Sequence, residues 1–247
     1  MNQIRTIKGT HDILPENSKN WQRLEKIIHN NASLYGYEEI RTPIIEEAGL
    51  FNRGIGQDTD IVSKEMYSWV DRDKKNIALR PEMTASVVRS FIQHSLGSQS
   101  SLQRLYYMGP SFRRERPQKG RQRQFHQFGV EAIGSKNPEQ DTEVIALGWD
   151  ILSKTGINNL ELRLSNIGSE DCRNRYRNAL VKFLKPYTLQ LSKVSQQRLK
   201  NNPLRILDTK NKDEIDIIKS APIIEEFYTK EDRNHFAQVK DYLKSID

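Results

Sequence analysis

The chain has 247 residues, of which 39 are Lys or Arg and 32 are Asp or Glu, so its formal net charge is +7. That charge favours a partner carrying phosphates, such as a nucleic acid or a nucleotide, although a lysine-rich surface would give the same sign. The single cysteine, Cys172, excludes an intrachain disulfide and a cysteine metal cluster, and no segment approaches the roughly 18 apolar residues of a membrane span, so we expect a cytoplasmic protein with no membrane partner.

Apolar periodicity predicts a mixture of helices and strands. The predicted elements are, in chain order, a helix at 18–34, strands at 37–45, 61–69 and 75–79, a helix opened by Pro81, strands at 102–112 and 125–133, a helix at 140–153 and a strand at 160–164. From about Glu170 the sequence changes to charged helical stretches that are broken at Pro186 and near Pro203. Because strands and helices do not alternate strictly, we predict an α+β fold in which helices flank an antiparallel sheet, with a helical insertion.

The strands at 102–112 and 125–133 are predicted to form a hairpin with one polar face, since side chains alternate between the faces of a strand. One face of the second strand carries Phe125, Gln127, Gly129 and Glu131. Together with Arg113 and Glu115 of the first strand, these residues would form a polar pocket floor beside an aromatic ring. Burying such groups without partners costs about 1–3 kcal/mol each, so they serve either a ligand or a structural ion pair between Arg113 and Glu131.

The loop between these two strands is strongly basic. Within eleven residues it carries one carboxylate, Glu115, and six cations, which are Arg113, Arg114, Arg116, Lys119, Arg121 and Arg123. Arginine forks suit phosphate oxygens, and a merely solvated loop is disfavoured because so many like charges repel one another. A basic tip beside a polar floor predicts an enzyme that handles a nucleotide and an RNA.

Four ordered stretches carry a more specific pattern. Residues 109–131 begin with GPSFRRERPQKGR and end with QFHQFGVE, and this stretch closely resembles motif 2 of class II aminoacyl-tRNA synthetases in the form of the histidyl-tRNA synthetase family. Residues 8–12, KGTHD, are similar to that family's N-terminal start, and residues 79–85, LRPEMTA, are similar to its amino-acid loop. The first helix followed by residues 35–43, YGYEEIRTP, resembles motif 1.

The resemblance implies a role for each matching residue. Arg113 would be the catalytic residue, holding the α-phosphate of ATP and the carboxylate of histidine. The ATP-binding residues would be Arg113, Glu115 at the adenine edge, Arg121 at the terminal phosphate, and Phe125 stacked on the ring. The histidine-binding residues would be Glu82, Met83, Thr84, Arg113, Gln127 and Glu131. The tRNA-binding residues would be Arg116, Gln118, Lys119 and Arg123.

The resemblance also implies partners and an organisation of the chain. The substrates would be ATP with Mg²⁺, L-histidine and tRNA(His), and the motif 1 region would build a homodimer. We expect a class II catalytic core at 1–169 and a helical insertion region at 170–247, in which residues 202–208 weakly resemble part of the family's insertion. Family members continue with a motif 3 and an anticodon-binding domain that do not occur in this sequence. We therefore expect an N-terminal part of a synthetase that shows little activity alone.

Two alternatives remain open from the sequence. The first is a non-catalytic, synthetase-like regulatory subunit of ATP phosphoribosyltransferase, which would be expected to lose parts of the ATP and tRNA machinery. The second is an RNA-binding module that never activates an amino acid. The five histidines lack metal-ligand spacing, so no protein metal site is predicted, and His126 is expected to face away from the pocket.

Overall fold

A computed structural model describes residues 3–56, 59 and 61–246, and the chain divides into two units, Met1–Leu160 and Glu161–Asp247. In the first unit the elements are α1 (Pro15–Leu34), β1 (Glu38–Glu39), β2 (Ile45–Glu47), α2 (Ala48–Ile55), a π-helical turn (Ile61–Glu65), β3 (Ser68–Val70), β4 (Asn76–Leu79), α3 (Thr84–Gln93), a 3₁₀ turn (Leu96–Ser98), β5 (Gln103–Phe112), β6 (Gln124–Ile133) and α4 (Pro138–Lys154). The predicted α+β class is confirmed, with small sheets of mainly antiparallel pairing beside helices.

The hairpin of β5 and β6 is the structural centre of the first unit. Its antiparallel ladder pairs Gln103 with Ile133 at one end and Phe112 with Gln124 at the other, and β1 joins the free edge of β5 in parallel. A second sheet has the order β2-β4-β3 and is antiparallel throughout. The long ladder fixes which side chains share a face, and this determines the geometry of the site.

The two faces of the hairpin have different neighbours. One face carries Tyr106 and packs against α1 and α4 through a core of buried residues, which are Ile28, Ala32, Tyr37, Tyr106, Leu147 and Ile151. The opposite face carries Leu105 and Tyr107, which pack against Met83 and Val87 at the start of α3. The helices α1 and α4 thus stabilise one face of the hairpin, while the other face borders the loop that precedes α3.

Three predicted strands are wrong in part or in whole, at 37–45, 61–69 and 160–164. Residues 61–65 form the π-helical turn, and of the segment predicted at 61–69 only residues 68 and 69 belong to a strand, β3. Ser63 donates to the carbonyl oxygen of Thr59 through both its backbone N–H (2.9 Å) and its hydroxyl (2.8 Å), and such local bonds compete with a sheet ladder. Residues 160–164 form no strand, and Leu162 in this segment is exposed.

Pro43 divides the predicted strand at 37–45. The segment becomes β1 and β2, which belong to different sheets, because a proline cannot donate to a ladder. The predicted hairpin strands and the predicted helices at 18–34 and 140–153 are confirmed, with ends shifted by a few residues. None of the helices in the described ranges is long and apolar enough to cross a membrane.

The second unit is helical. Its elements are α5 (Glu170–Leu184), a 3₁₀ turn (Lys185–Gln190), α6 (Lys193–Asn201), a 3₁₀ turn (Pro203–Ile206), α7 (Lys212–Ile218), a 3₁₀ turn (Ile224–Phe227) and α8 (Lys230–Ser245). Pro186 and Pro203 lie in the 3₁₀ turns, which confirms the predicted breaks. Leu180, Leu184 and Ile206 are fully buried and form its core.

Two buried carboxylates organise the helix ends of the second unit. Asp232 accepts from the backbone N–H of Ser169 (2.8 Å) and of Thr229 (2.8 Å), so one side chain joins the residues that cap α5 and α8. Glu214 accepts from the backbone N–H of Ser192 (2.7 Å), from the Ser195 hydroxyl (2.9 Å) and from the Thr209 hydroxyl. These bonds satisfy carboxylates that would otherwise be costly to bury.

Candidate active site

The register of the hairpin confirms the predicted polar face. Phe125, Gln127, Gly129 and Glu131 lie opposite Ser111, Gly109, Tyr107 and Leu105, respectively. Residues that oppose one another in an antiparallel pair share a face, so these eight residues form one surface. His126 lies on the other face with its ring against Trp21, at 4.6 Å between centroids, as the alternation predicts.

The end of this face nearest Glu131 is built around Tyr107. The Tyr107 hydroxyl donates to Oε1 of Glu131 (3.1 Å) and lies 3.2 Å from the Thr84 hydroxyl oxygen. Burial is the main cause that raises the pKa of Tyr107 to about 12, and the carboxylates of Glu131 and Glu82 act in the same direction. The tyrosine is therefore a neutral hydroxyl at physiological pH, and it links Thr84 and Glu131, two residues that the family resemblance assigns to histidine binding.

Gln127 presents an acceptor that no described residue satisfies. Its Oε1 atom is buried without a hydrogen-bond partner in the described part of the chain. A buried amide oxygen left in this way costs about 1–3 kcal/mol, so a ligand carrying an N–H donor would recover that free energy. This is the observation that best supports a ligand at this end of the hairpin.

The loop before α3 supplies Glu82, Met83 and Thr84. The Glu82 carboxylate accepts from the backbone N–H groups of Thr84 (2.7 Å) and Ala85 (3.0 Å), so it caps the first turn of α3. Met83 is 1% exposed and its side chain packs in the core with Leu105 and Tyr107. Glu82 thus stabilises the loop through these hydrogen bonds, and Met83 fixes its position by packing in the core.

The opposite end of the face carries the arginines. Nε of Arg113 donates to the carbonyl oxygen of Pro81 (2.9 Å), and its guanidinium lies 5.1 Å from the centre of the Phe125 ring. Glu115 accepts from Arg121 (3.0 Å) and lies 4.0 Å from Arg113. Two guanidinium groups, one carboxylate and one aromatic ring therefore meet here, a combination suited to phosphates and a planar base.

The alternative ion pair between Arg113 and Glu131 is wrong. The backbone of Arg113 donates to Arg123 (2.9 Å) beyond the last ladder pair, whereas Glu131 pairs with Leu105. The Arg113 guanidinium lies over the ring of Phe125 and near Glu115, whereas the Glu131 carboxylate accepts from Tyr107, so the two side chains have different partners. The polar floor is therefore divided, with Arg113 and Glu115 at one end and Gln127 and Glu131 towards the other.

The loop at the tip is closed by a tight turn and by the chain near Gly9. Gln118 and Arg121 exchange backbone hydrogen bonds (3.2 and 2.9 Å), and Gly120 between them has a φ of 79°. The carbonyl oxygen of Gly9 accepts from the backbone of Arg123 (2.7 Å), and a Cβ on Gly9 would lie 2.8 Å from Arg123 and from Pro117. The segment at 8–12 therefore shapes the base of the loop.

The four residues predicted to bind tRNA fall into two groups. Arg116, Gln118 and Lys119 are exposed, while Arg123 is half-buried and its Nε donates to the carbonyl oxygen of Glu115 (3.4 Å). The side chains of the first three are accessible to a partner, whereas the Arg123 side chain also stabilises the loop.

The sequence alone assigns no individual role to Tyr107, Gly9 or Arg80. Arg80 is 3% exposed, and its guanidinium donates to the carbonyl oxygens of Pro110 (2.9 Å) and Thr42 (2.9 Å). These three residues act through contacts with distant segments. Gly9 and Arg80 lie within the stretches at 8–12 and 79–85 that the family resemblance includes, and for Tyr107 the available signal is its pairing with a glycine once a register is assumed. In the described ranges, no group of three or more His, Cys, Asp or Glu side chains could hold a metal ion.

Comparisons with known proteins identify first the class of protein to which this chain belongs and then its family. The structure matches an apo histidyl-tRNA synthetase of S. aureus, a class II synthetase, with a TM-score of 0.80 and 38% identity over 99% of this chain and 55% of that one. The histidyl-tRNA synthetase family model matches residues 9–169. The chain therefore belongs to the histidyl-tRNA synthetase family.

Individual relatives agree with this assignment. A histidine–tRNA ligase of Synechocystis sp. is 50% identical over 246 residues, which are 100% of this chain and 55% of the relative. The ligase of Thermosynechococcus vestitus is 50% identical over 243 residues, or 98% of this chain and 57% of the relative. The chain thus spans about half the length of the curated relatives it matches.

A more distant structure shares only the fold. It is titled an ATP phosphoribosyltransferase regulatory subunit/histidyl-tRNA synthetase from Bacillus halodurans, and it matches with a TM-score of 0.66 and 22% identity over 99% of this chain and 66% of that one.

Proposed function

We propose that this chain provides the ATP and L-histidine sites of a histidine–tRNA ligase. The observation that carries the proposal is the single hairpin face that holds Arg113, Phe125 and Glu115 at one end and Gln127 and Glu131 towards the other. One rigid element thereby bears a cationic group for phosphate and acceptors for an amino acid, in a chain of the matching family.

The proposed reaction has two steps. A carboxylate oxygen of histidine attacks the α-phosphorus of ATP, a new P–O bond forms, and pyrophosphate leaves with the electron pair of the bond that breaks. A hydroxyl of the terminal ribose of tRNA(His) then attacks the carbonyl carbon of the histidyl-adenylate, an ester bond forms, and AMP leaves as the bond from the carbonyl carbon to the phosphate oxygen breaks. Arg113 holds the α-phosphate and the attacking carboxylate, and its fixed charge stabilises the negative charge that develops at phosphorus. Its bond to Pro81 and its contact with Phe125 hold the guanidinium in place before the substrates arrive.

The remaining residues orient the substrates. Phe125 offers ring surface for adenine, Glu115 its carboxylate for the base edge, and Arg121 a cation for the terminal phosphate. Mg²⁺ would be held through the substrate phosphates, where it neutralises their charge. Glu82, Thr84, Gln127 and Glu131 surround the amino-acid end, with Met83 packed behind them.

Two exposed surfaces carry the proposed contacts with the tRNA and with a second copy of the chain. Arg116, Gln118 and Lys119 are exposed on the loop and would face the acceptor end of the tRNA, with Arg123 at its base. Leu24 and Leu34 of α1 are exposed, as are Ile44 and Ile45 directly after residues 35–43, which supports a homodimer through the motif 1 region. We propose a catalytic core at 1–169, a helical insertion region at 170–247 and a cytoplasmic location.

The two alternatives are not favoured. Curated relatives at about half identity over the whole chain are named histidine–tRNA ligases. The neighbour whose title includes the regulatory subunit shares only the fold. An RNA-binding module without activation chemistry would have no use for the buried, unpartnered oxygen of Gln127.

The test is a chimera in which this chain replaces the matching residues of the Synechocystis ligase. We expect histidine-dependent exchange of pyrophosphate into ATP, and a loss of about 10²–10³-fold on Arg113→Gln, as for removal of one charge-stabilising donor. Arg114→Gln is the matched control, because Arg114 is the exposed neighbour of Arg113 and contacts Glu65 through its backbone N–H (2.6 Å). A folded chimera without exchange, or equal rates in the two variants, would refute the proposal.

A further inference from the structure

The hydroxyls of Thr84 and Tyr107 and the carboxylate of Glu131 form a continuous row. Tyr107 lies 3.2 Å from Thr84 and 3.1 Å from Glu131, and it is only 3% exposed. We propose that Tyr107 is a positioning residue that fixes the proton order of this row, so that the oxygens of the row meet a ligand only as acceptors and favour one rich in N–H donors. This inference rests on the proposed function, because it concerns the same amino-acid site.

The proton order follows from what each group can donate. A carboxylate carries no proton and only accepts, so the Tyr107 hydroxyl must donate its single proton to Glu131. The Tyr107 oxygen can then only accept from Thr84, and the Thr84 hydroxyl is consequently the donor of the second bond. Each proton of the row is used within the row, in the direction from Thr84 to Glu131.

The consequence is a set of oxygens with free lone pairs and no free protons. Thr84 Oγ1 has given its proton to Tyr107, and Oε2 of Glu131 is not used by the tyrosine. The buried Oε1 of Gln127 adds a third acceptor on the same hairpin face. A protonated amine or an imidazole N–H satisfies such oxygens, whereas a ligand that presents a carbonyl oxygen to them places lone pairs against lone pairs.

Gly129 leaves the space that the tyrosine needs. A Cβ at position 129 would lie 2.3 Å from the Tyr107 hydroxyl oxygen and 2.4 Å from the adjoining ring carbon. The ring therefore lies directly over the glycine, in the space between Gln127 and Glu131. Since the tyrosine is also held by Met83 and Leu105, its hydroxyl has little freedom to leave the row.

The first test is binding of L-histidine to the intact chain, measured by titration calorimetry for Tyr107→Phe. This variant keeps the ring over Gly129 and removes only the hydroxyl. We expect the affinity for L-histidine to fall about tenfold, because the variant loses the hydroxyl that bonds to Glu131 and Thr84. The affinity for ATP should stay unchanged. The preference for L-histidine over imidazole-propionate, which lacks the amine, should shrink in parallel. Unchanged affinity and preference in Tyr107→Phe would overturn the inference.

A double-mutant cycle distinguishes the row from separate contacts. If the proton order matters, Thr84→Val and Tyr107→Phe together should weaken binding by less than the product of the single effects, and Thr84→Ser should bind like the parent chain. Multiplicative effects would overturn the row. Should Tyr107→Phe fail to fold, a comparison of Thr84→Val with Thr84→Ser still tests the row. Equal binding of L-histidine by these two variants would exclude a role for the Thr84 hydroxyl.

The outcome for the unmodified chain separates the two proposals. A parent chain that binds ATP but no L-histidine would overturn the proposed amino-acid site itself. A parent chain that binds both, with an unaffected Tyr107→Phe variant, would leave the proposed function standing and reject only the tyrosine row.

Discussion

Nε of Arg80 donates a hydrogen bond to the carbonyl oxygen of Pro110 at 2.9 Å. The same guanidinium reaches the carbonyl oxygen of Thr42 (2.9 Å), while the backbone carbonyl of Arg80 accepts from Phe112 (3.0 Å). The next residue, Pro81, holds Nε of Arg113. Arg80 therefore joins the motif 1 segment, strand β5 and the support of the proposed catalytic arginine.

Arg80→Lys should destabilise the first unit by about 1–3 kcal/mol. A lysine keeps the charge but cannot reproduce the fork, so at least one buried carbonyl oxygen would lose its partner. The measurement is urea unfolding followed by tryptophan fluorescence, because Trp21, Trp69 and Trp149 all lie in this unit. Arg72→Lys, at an exposed position, is the control and should change the unfolding free energy by less than about 0.5 kcal/mol. Equal effects of the two changes would show that the buried fork contributes nothing.

Glu131→Ala should weaken the binding of L-histidine by about 1–3 kcal/mol and leave ATP binding unchanged. The change removes the acceptor at the end of the Tyr107 row and leaves the Phe125 end untouched, because the two ends are far apart along the ladder. Calorimetric titration of the chain with each ligand measures both effects. The assignment of Glu131 would be rejected by a folded variant with the parental affinity for histidine, or by one that loses ATP instead.

Lys119→Gln should reduce the salt dependence of RNA binding without abolishing binding. Each phosphate contact contributes about 0.9 to the slope of log affinity against log salt on a duplex and about 0.7 on a single strand. Filter binding of a tRNA(His) transcript between low and physiological salt gives the slope. The matched control is Lys136→Gln, an exposed lysine outside the loop. Identical slopes for Lys119→Gln, Lys136→Gln and the parent chain would show that Lys119 makes no phosphate contact with the RNA.

Glu214→Gln should weaken the second unit at neutral pH but not in acid. Burial acts to raise the pKa of Glu214, yet the hydrogen bonds from Thr209, Ser192 and Ser195 outweigh it and lower the pKa below its usual value. A carboxylate with a lowered folded pKa contributes stability above its unfolded pKa of about 4.3, and this contribution is lost as the pH falls through the folded pKa. We therefore expect a loss of about 1–3 kcal/mol at pH 7 that shrinks below about pH 4.

Amide hydrogen exchange in peptides covering α6 measures this local stability, since Ser192 and Ser195 donate to the carboxylate there. The exposed Glu226→Gln serves as the control and should leave the exchange of α6 unchanged at every pH. A difference between Glu214→Gln and the parent chain that is constant with pH would contradict the expected titration.

The sequence predicts best those elements whose pattern is long and whose neighbours are local. Both hairpin strands and the α1 and α4 helices carry many turns or alternations of apolar residues, and their existence and type are predicted correctly. The π-helical turn is mispredicted because its side chains bond to their own backbone, which leaves no mark on the apolar pattern. The segment at 160–164 alternates like a strand but finds no sheet partner.

The sequence predicts the strand faces of the site but not the contacts between its strands. The alternation within β6 correctly places Gln127 and Glu131 on one face, because that property belongs to one strand. The partners of these residues depend on the register with β5, which the sequence does not specify. For that reason the expected proximity of Arg113 to Glu131 is wrong, and Tyr107 was not recognised.

The pairing of Tyr107 with Gly129 also protects the hairpin against misfolding. A slip of one residue would turn Gln127 and Glu131 towards α4 and bring Phe128 and Val130 to the other side. A slip of two residues would keep the faces but set Tyr107 against Gln127 or Glu131, whose side chains fill the space that the glycine leaves open. Only one alignment of the two strands thus accommodates the aromatic ring. The absent side chain of Gly129 therefore favours the native register over the shifted ones on steric grounds, without any contribution from a substrate.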